Sequence, residues 1–437
     1  MKINWFSPLP PAQTEIANCA MRVLEVLQNR AEIVAWTNQL TWSSEIEKYA
    51  RVCRYQLNQM PWKQINQGDL NIYHIGNNAD FHADIWQISR QSPGLVILHD
   101  FKLQHFFTGI YNKTWYDKEV YIEHMQKYYG IKGRQAAASF WLGNISIEYM
   151  DEHYPLVNLA LENSVGAIAH NLNIYKILER EKRWFVGYVP LPYKSQSKST
   201  NKINFDRSLP YRLILFGYLN SNRCLDIVLE ALSTFSDKNA FRLDIYGRIL
   251  NKKYFTSIKE KIKTLGLSDR VKIHGFVEES ILDKALANAH LAINLRYPTM
   301  EEASASQLRI WSQALPSLVT KIGWYATLPQ DTVAFVRHDR FVEDIQQQLQ
   351  KFLDNPEEFV AMGKRGKRLL EEQHTPEIYA KAIVDFSEKA CQFRCKSVGY
   401  QLINRLCEQM SDLSNYQFSE QEIKRPAEAI HFLTFRS

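Results

Sequence analysis

The strongest constraint on this chain is an alternation that runs from residue 2 to about residue 336. Short apolar runs are separated by amphipathic stretches. Lys2–Phe6, Glu32–Trp36, Leu70–Ile75, Leu95–His99, Gly166–His170 and Trp184–Val189 read as strands, and Glu15–Gln28 and Leu156–Glu162 read as helical stretches between them. Strands that are apolar on both faces need cover on both faces, which is the pattern of a parallel sheet sandwiched by helices. Pro190-Leu191-Pro192-Tyr193 then leads into a tract of Lys, Ser, Gln and Asn, Lys194–Asn204, with the composition of a linker. A second series follows: Arg212–Phe216, Arg242–Tyr246, Val271–His274, Leu291–Leu295, Ser317–Thr320 and Thr332–Val336. The expectation is an α/β chain with two doubly wound parallel-sheet domains, at residues 1–193 and 208–375. A linker at 194–207 joins them, and helices occupy 376–437. Within the last part, Pro376 to about Cys395 and Val398–Leu413 have helical periodicity, whereas Asn415–Ser437 has none that is clear. Ligands of such sheets gather at the carboxyl ends of the strands, and two such ends facing one another make a cleft.

Composition narrows the class. With 437 residues, 45% of them hydrophobic, the chain has material for two or three well-filled domains. A formal charge of +6 is too mild for a nucleic-acid-binding face, but suits anionic substrates. None of the six Cys forms a C-x-x-C pair, so reduced structural thiols are expected. Met1–Pro8 has no apolar leader core and no run approaches the ~20 apolar residues of a membrane span, so a cytoplasmic chain is expected, with membrane contact only peripheral.

The most informative stretch is Leu295–Trp311, in which a strand ends, Pro298 turns the chain and a helix begins among small residues. Small side chains let a ligand approach free backbone N–H groups, which together with the helix dipole favour a phosphate. Ser304 and Ser306 add hydroxyls. Thr299 followed three residues later by Glu302 also has the spacing of a capping box, and small residues also suit close helix–sheet packing.

The run Arg296–Thr320, with Gly323-Trp324-Tyr325-Ala326 after it, resembles the donor-binding region of glycosyltransferase family 4. Ser7-Pro8-Leu9-Pro10-Pro11 with Ile16-Ala17, Leu98-His99-Asp100, Ala169-His170-Asn171, and Leu215-Phe216-Gly217 leading to Arg223 resemble further segments of that family, in the family's order. The resemblance implies the GT-B fold of two Rossmann-like domains and retaining transfer of a hexosyl group from a nucleoside-diphosphate sugar. The acceptor would be a saccharide or lipid-linked saccharide, as in polysaccharide or glycoconjugate synthesis. It implies that Glu302 holds donor-sugar hydroxyls, that Arg223 faces the diphosphate, and that His99 lies near the reacting sugar. Gly217 and Gly247 would form turns along the nucleotide. Thr299, Ser304, Ala305 and Ser306 would belong to the donor loop, with N–H groups near Ser304 and Ser306 meeting the phosphates. Ile16, Asp100 and His170 would fall on the acceptor or cleft side.

Some positions depart from the family pattern. Ile310 stands where a second Glu is common, Tyr218 where an Arg is, Glu15 and Glu301 where glycines are, and Thr327 where an acidic residue is usual. Outside the resemblance, His99 reads as a satisfied structural group at a strand end, His170-Asn171 as a helix cap, and Arg223 as a solvated Arg at a helix start. Asp80, His82 and Asp84 alternate but read as a solvated helix start. No His pair has helical metal-ligand spacing, and neither metal nor cofactor is expected, with Arg223 and a helix terminus neutralising the diphosphate instead. The aromatic segment Phe106–Tyr129 reads as a packed helix, an acceptor-site wall or a membrane-facing helix. A sugar-nucleotide epimerase of the same fold and a non-catalytic scaffold are the rival readings.

Overall fold

The computed structural model describes residues 1–194, 210–249, 251–412 and 419–435. The chain divides into two compact units, Met1–Pro190 with Pro376–Ser437, and Leu191–Thr375. All but the first residue of the expected linker at 194–207 lies outside the described residues.

The first unit is built on a seven-stranded sheet of β1 (Lys2–Phe6), β2 (Glu32–Thr37), β3 (Arg51–Arg54), β4 (Leu70–Ile75), β5 (Leu95–Leu98), β6 (Gly166–Ala169) and β7 (Phe185–Tyr188). Its strand order is β3-β2-β1-β4-β5-β6-β7, and every pairing is parallel. The order reverses between β1 and β4, so the two chains leaving those strands diverge and open a crevice at their carboxyl ends. β1, β4 and β5 are buried along almost their whole length, as strands covered on both faces must be. Only β3 escaped the sequence reading. Its four residues, Arg-Val-Cys-Arg, make a short edge strand with charged ends.

The helix Glu15–Leu27 starts at Thr14, whose side chain accepts a hydrogen bond from the Ile16 N–H. It buries Ala17, Ala20, Val23, Leu24 and Leu27 in a core shared with Tyr379, Ala380, Ile383 and Val384 of the helix Pro376–Asp412. That helix is continuous through the two segments read separately from periodicity. Beyond it, Glu420–Phe435 is helical where no period was legible. Two helical expectations need correction in length. Leu156–Glu162 yields one turn, Val157–Ala160, and the aromatic segment Phe106–Tyr129 divides between the helix Gln104–Ile110 and a longer one, Trp115–Trp141, broken at Gly130 with φ +64°. The aromatic segment is a packed one: Phe106, Phe107, Tyr121 and Met125 are all fully buried in the first unit's core.

The second unit has a six-stranded parallel sheet of β8 (Tyr211–Phe216), β9 (Phe241–Tyr246), β10 (Val271–Gly275), β11 (Leu291–Asn294), β12 (Ser317–Thr320) and β13 (Ala334–Val336), in the order β10-β9-β8-β11-β12-β13. Its reversal falls between β8 and β11. Leu191 and Tyr193 pack in this unit with Trp311, Trp324 and Leu370, and His374 Nδ1–H donates to the Leu191 carbonyl at 2.8 Å.

Candidate active site

The second unit gathers its expected site residues at that reversal. β8 delivers Gly217, and β11 delivers Asn294 and then Arg296. A turn at Ser221–Arg223 precedes the helix Leu225–Ser233 and carries Arg223 inward, where its side chain is 3% exposed. Arg223 Nη1 donates to Asn294 Oδ1 at 2.9 Å, and Nη2 reaches Ser306 Oγ at 3.4 Å. Asn294 Nδ2 donates in turn to Gln307 Oε1 at 3.0 Å, and Gln307 Nε2 to Ser317 Oγ at 2.8 Å. This chain of buried amides fixes the guanidinium from behind. Asn294 and Gln307 went unread in the sequence. The one available signal was a polar residue ending the apolar run Leu291-Ala292-Ile293.

No carboxylate among the described residues lies within ion-pairing distance of Arg223, and its Nε has no hydrogen-bond partner. Burial pushes the guanidinium down to about 9; neighbouring Arg296 works the same way, and Tyr325 and Glu302 oppose it. A buried cation with no counter-charge is costly, and its natural complement is an anion from outside the chain.

Glu302 occupies a different setting from a capping box. The helix begins at Ala305, not at Thr299, and Ser304 is its N-cap, with Oγ accepting from the Gln307 N–H. The Ser304 hydroxyl also accepts from Tyr325 Oη–H at 2.8 Å. Glu302 instead braces the loop ahead of the helix. Its Oε2 accepts from the Met300 N–H at 2.9 Å and from Thr299 Oγ1–H at 3.1 Å, and its Oε1 lies 3.3 Å from Arg296 Nε. Arg296 is anchored from the other side, its N–H donating to Thr320 Oγ1 at 3.0 Å. The loop passes through Glu301 at φ +64°, a left-handed position. Gly323, at φ +53°, lets Glu301 pack close by. Ala305 and Ser306 stand at the first turn of the helix, beside Arg223.

Gly217 and Gly247 follow β8 and β9 with φ +117° and +146°. A β-carbon on Gly247 would strike the Gly217 carbonyl, so the two turns lie back to back at the sheet's carboxyl end. Ile310 is fully buried among Ile214, Phe216 and Leu286, so no ligand contact comes from it.

In the first unit the expected residues also converge at strand ends. His99 follows β5, and His170 follows β6, with ring centroids 5.2 Å apart. His74, on β4, was not singled out in the sequence. Its Nδ1 lies 2.9 Å from His99 Nε2, with the rings stacked at 5.2 Å. Burial holds His74 and His99 well below the usual histidine range, and brings His82 down to about 4, so these rings are neutral. His170 Nδ1–H donates to the Val189 carbonyl at 2.7 Å, and His82 Nδ1–H to the His74 carbonyl at 2.9 Å. Gly76, just past β4, brings the other two candidates together. A β-carbon there would lie 3.0 Å from Ile16 Cδ1 and 3.2 Å from Asp100 Oδ2, an oxygen that accepts from the Asn77 N–H at 2.7 Å. Asp80 and Asp84 stand on the helix Ala79–Gln91, whose N-cap is Asn78, and His82 is buried behind them. No group of three or more His, Cys, Asp or Glu suited to a metal occurs among the described residues.

Two Rossmann-like parallel sheets, each with its candidate residues at the carboxyl ends, define the class of architecture: this is the GT-B fold. Residues 198–369, most of the second unit, match the family described as Glycosyl transferases group 1. Among solved structures, the chain is similar to HepE from Anabaena in complex with UDP and glucose, at 12% identity and a TM-score of 0.59. That match covers 88% of this chain and 98% of HepE. It is similar to sucrose-phosphate synthase from Thermosynechococcus elongatus at 13% identity and TM-score 0.60, covering 89% and 98%. The third similarity is to WaaG, a glycosyltransferase involved in lipopolysaccharide biosynthesis, at 13% identity and TM-score 0.54, covering 88% and 98%. No curated protein matches the sequence. At these identities the structural likeness shows the fold, while the family match lies within the second unit.

Proposed function

We propose that this chain is a retaining glycosyltransferase that moves a hexosyl group from a nucleoside-diphosphate sugar to a hydroxyl of a saccharide or lipid-linked saccharide. The observation that carries this reading is the Arg223 guanidinium, buried at the topological switch point beside Gly217 and Ser306 with no carboxylate to balance it. A diphosphate supplies the missing charge. The UDP and glucose held by HepE, and the part of WaaG in lipopolysaccharide biosynthesis, are in keeping with such a donor and a glycan acceptor.

In this reading the bond from the sugar's anomeric carbon to the diphosphate breaks, and its electron pair leaves with the phosphate. The acceptor oxygen bonds to the same face of the anomeric carbon, and the hydroxyl proton passes to the departing phosphate oxygen. Arg223 and the N–H groups at Ala305 and Ser306 stabilise the charge that develops on the diphosphate. Glu302, held by Arg296, grips hydroxyls of the sugar. His99, Asp100, His170 and Ile16 serve the acceptor and the reacting sugar. The reaction takes place without a metal or other cofactor, on the cytoplasmic side, with any membrane contact peripheral; among the described residues no helix is long and apolar enough to cross a membrane.

The test is titration of the full chain with UDP and other nucleoside diphosphates. Arg223→Ala is expected to weaken binding by about 1.5–3 kcal/mol, the usual worth of a charged hydrogen bond. Unchanged affinity removes Arg223 from the donor site. Release of nucleoside diphosphate only with an acceptor distinguishes transfer from an epimerase, and no turnover of any nucleotide sugar points to a scaffold. The buried Ile310 at the usual place of a second acidic residue is the observation that favours that last alternative.

A further inference from the structure

At the opposite end of the second sheet, the amino ends of β8, β9 and β10 surround a cavity of about 500 Å³. The sequence reading assigned nothing to it. Strand register determines its charge. Arg212 on β8 is the direct partner of Arg242 on β9, and Lys272 on β10 is the partner of Asp244 on β9. Parallel partners share a face, and alternate residues along one strand do too, so Arg212, Arg242, Asp244 and Lys272 project to the same side. Leu213, Leu243 and Val271 go to the other side, into the unit's main core. Arg270, two residues before Lys272, joins the cavity lining.

This arrangement sets like charges side by side. Neighbouring strands lie ~4.8 Å apart, and like charges on directly opposed residues destabilise a sheet. Arg212, Arg242 and Lys272 have no carboxylate within ion-pairing distance among the described residues. Asp244 is engaged by His274 Nε2 at 2.5 Å, and Arg270 donates to the Lys238 carbonyl at 2.8 Å. His290, 5% exposed, also lines the cavity, and its Nδ1 accepts from the Arg212 N–H at 2.9 Å. Four cations against the carboxylates of Asp244 and Asp269 leave a surplus of two positive charges in a concave site.

We infer that this cavity binds a phosphate-bearing anion of about two negative charges, at a site separate from Arg223 and one strand length away from it. Arginine pairs are suited to phosphate because their planar forks donate two parallel hydrogen bonds. The same chemistry is offered by a soluble phosphoester and by an anionic lipid headgroup. The inference does not depend on the donor-site reading, since it uses none of those residues.

The experiment uses the full chain in two backgrounds. In Arg223→Met, calorimetric titration with sodium pyrophosphate, at ionic strength held constant with chloride, is expected to show one binding event. Adding Arg212→Ala and Arg242→Ala to that background is expected to weaken it at least tenfold. In the wild-type background the same double substitution is expected to leave UDP affinity unchanged, which also verifies folding. If the double variant fails to fold, Arg242→Gln alone replaces it, since it relieves the like-charge contact and keeps the side-chain stem. Vesicles of phosphatidylglycerol and phosphatidylcholine, against phosphatidylcholine alone, identify the source. Sedimentation lost with Arg212→Ala/Arg242→Ala assigns the site to a headgroup, and pyrophosphate binding without sedimentation assigns it to a soluble ligand. Pyrophosphate and vesicle binding that are both absent, or both indifferent to Arg212 and Arg242, overturn the inference.

Discussion

A β-carbon at position 217 would stand 2.4 Å from Arg223 Nη2, so the guanidinium occupies the space that a side chain on Gly217 would need. Gly217 also has φ +117°, which L side chains avoid. Gly217→Ala is therefore expected to act twice, straining the turn by about 1–3 kcal/mol and displacing Arg223. Melting should report the first effect, and UDP titration the second. A Gly217→Ala protein that binds UDP as the wild type does would show that the guanidinium's position is immaterial to the nucleotide.

The pH dependence of Arg223 has a definite sign. Burial first, and then Arg296, bring it to about 9 in the folded chain, against 12.5 when unperturbed. Above pH 9 the folded state binds fewer protons at this residue than the unfolded state does, so its contribution to stability rises with pH. Nucleotide affinity moves the other way, because the cation is lost. UDP affinity measured from pH 7.5 to 9.5 is expected to fall more steeply for the wild type than for Arg223→Met. Arg223→Met should also match or exceed the wild type in stability without ligand, as an apolar replacement of an unpaired buried charge often does.

Glu302→Gln keeps the shape of the loop but changes its chemistry. The glutamine oxygen can still accept from Met300 and Thr299, as Oε2 does, but its NH2 takes the place of Oε1 and turns a donor, without charge, toward Arg296. A stability loss of about 1 kcal/mol is expected from the weakened brace. If the carboxylate grips sugar hydroxyls more tightly as the bond to the diphosphate breaks, turnover falls at least about tenfold, or roughly 1.4 kcal/mol of barrier. Initial rates beside melting curves separate the two effects. Full activity would leave Glu302 as a structural brace.

Acid should weaken the first unit through its buried histidines. Unfolded histidines take up a proton near 6.5, whereas burial lowers His82 to about 4. The stability contributed by this ring is complete above pH 6.5 and is lost as the pH falls from 6.5 to about 4. The full shift corresponds to about 3 kcal/mol. His82→Asn retains a donor for the His74 carbonyl and should flatten the decline over that window. An identical pH profile for the variant would exclude His82 as a cause.

If Arg223 and the helix start at Ala305 and Ser306 carry the charge of the leaving diphosphate, turnover is expected to survive exhaustive chelation. Strict dependence on Mg²⁺ or Mn²⁺ in a rate assay would contradict this.

Much of the architecture was legible because parallel strands buried on both faces are apolar runs, and the crossover helices between them are amphipathic. Ten of those runs match β-strands as they stand or after a shift of one residue at one end, while Trp184–Val189 loses one residue at each end and Thr332–Val336 shortens to Ala334–Val336. The strand β3 was missed because an edge strand with arginines at both ends has no such run. Thr299 and Glu302 misled for a related reason. Their spacing is that of a capping box, but the left-handed turn at Glu301 delays the helix to Ala305, and Ser304 takes the cap.

What the sequence determined by itself was the doubly wound α/β class and the strand ends at which polar residues collect, because both follow from local periodicity and composition. Only the tertiary structure decided which of those residues meet. Asn294 and Ser306 are 71 and 83 positions from Arg223 yet hold its guanidinium, and His74 and His99, 25 positions apart, share a hydrogen bond. Strand order brings them together. It is set by packing across the whole sheet, which no local pattern records.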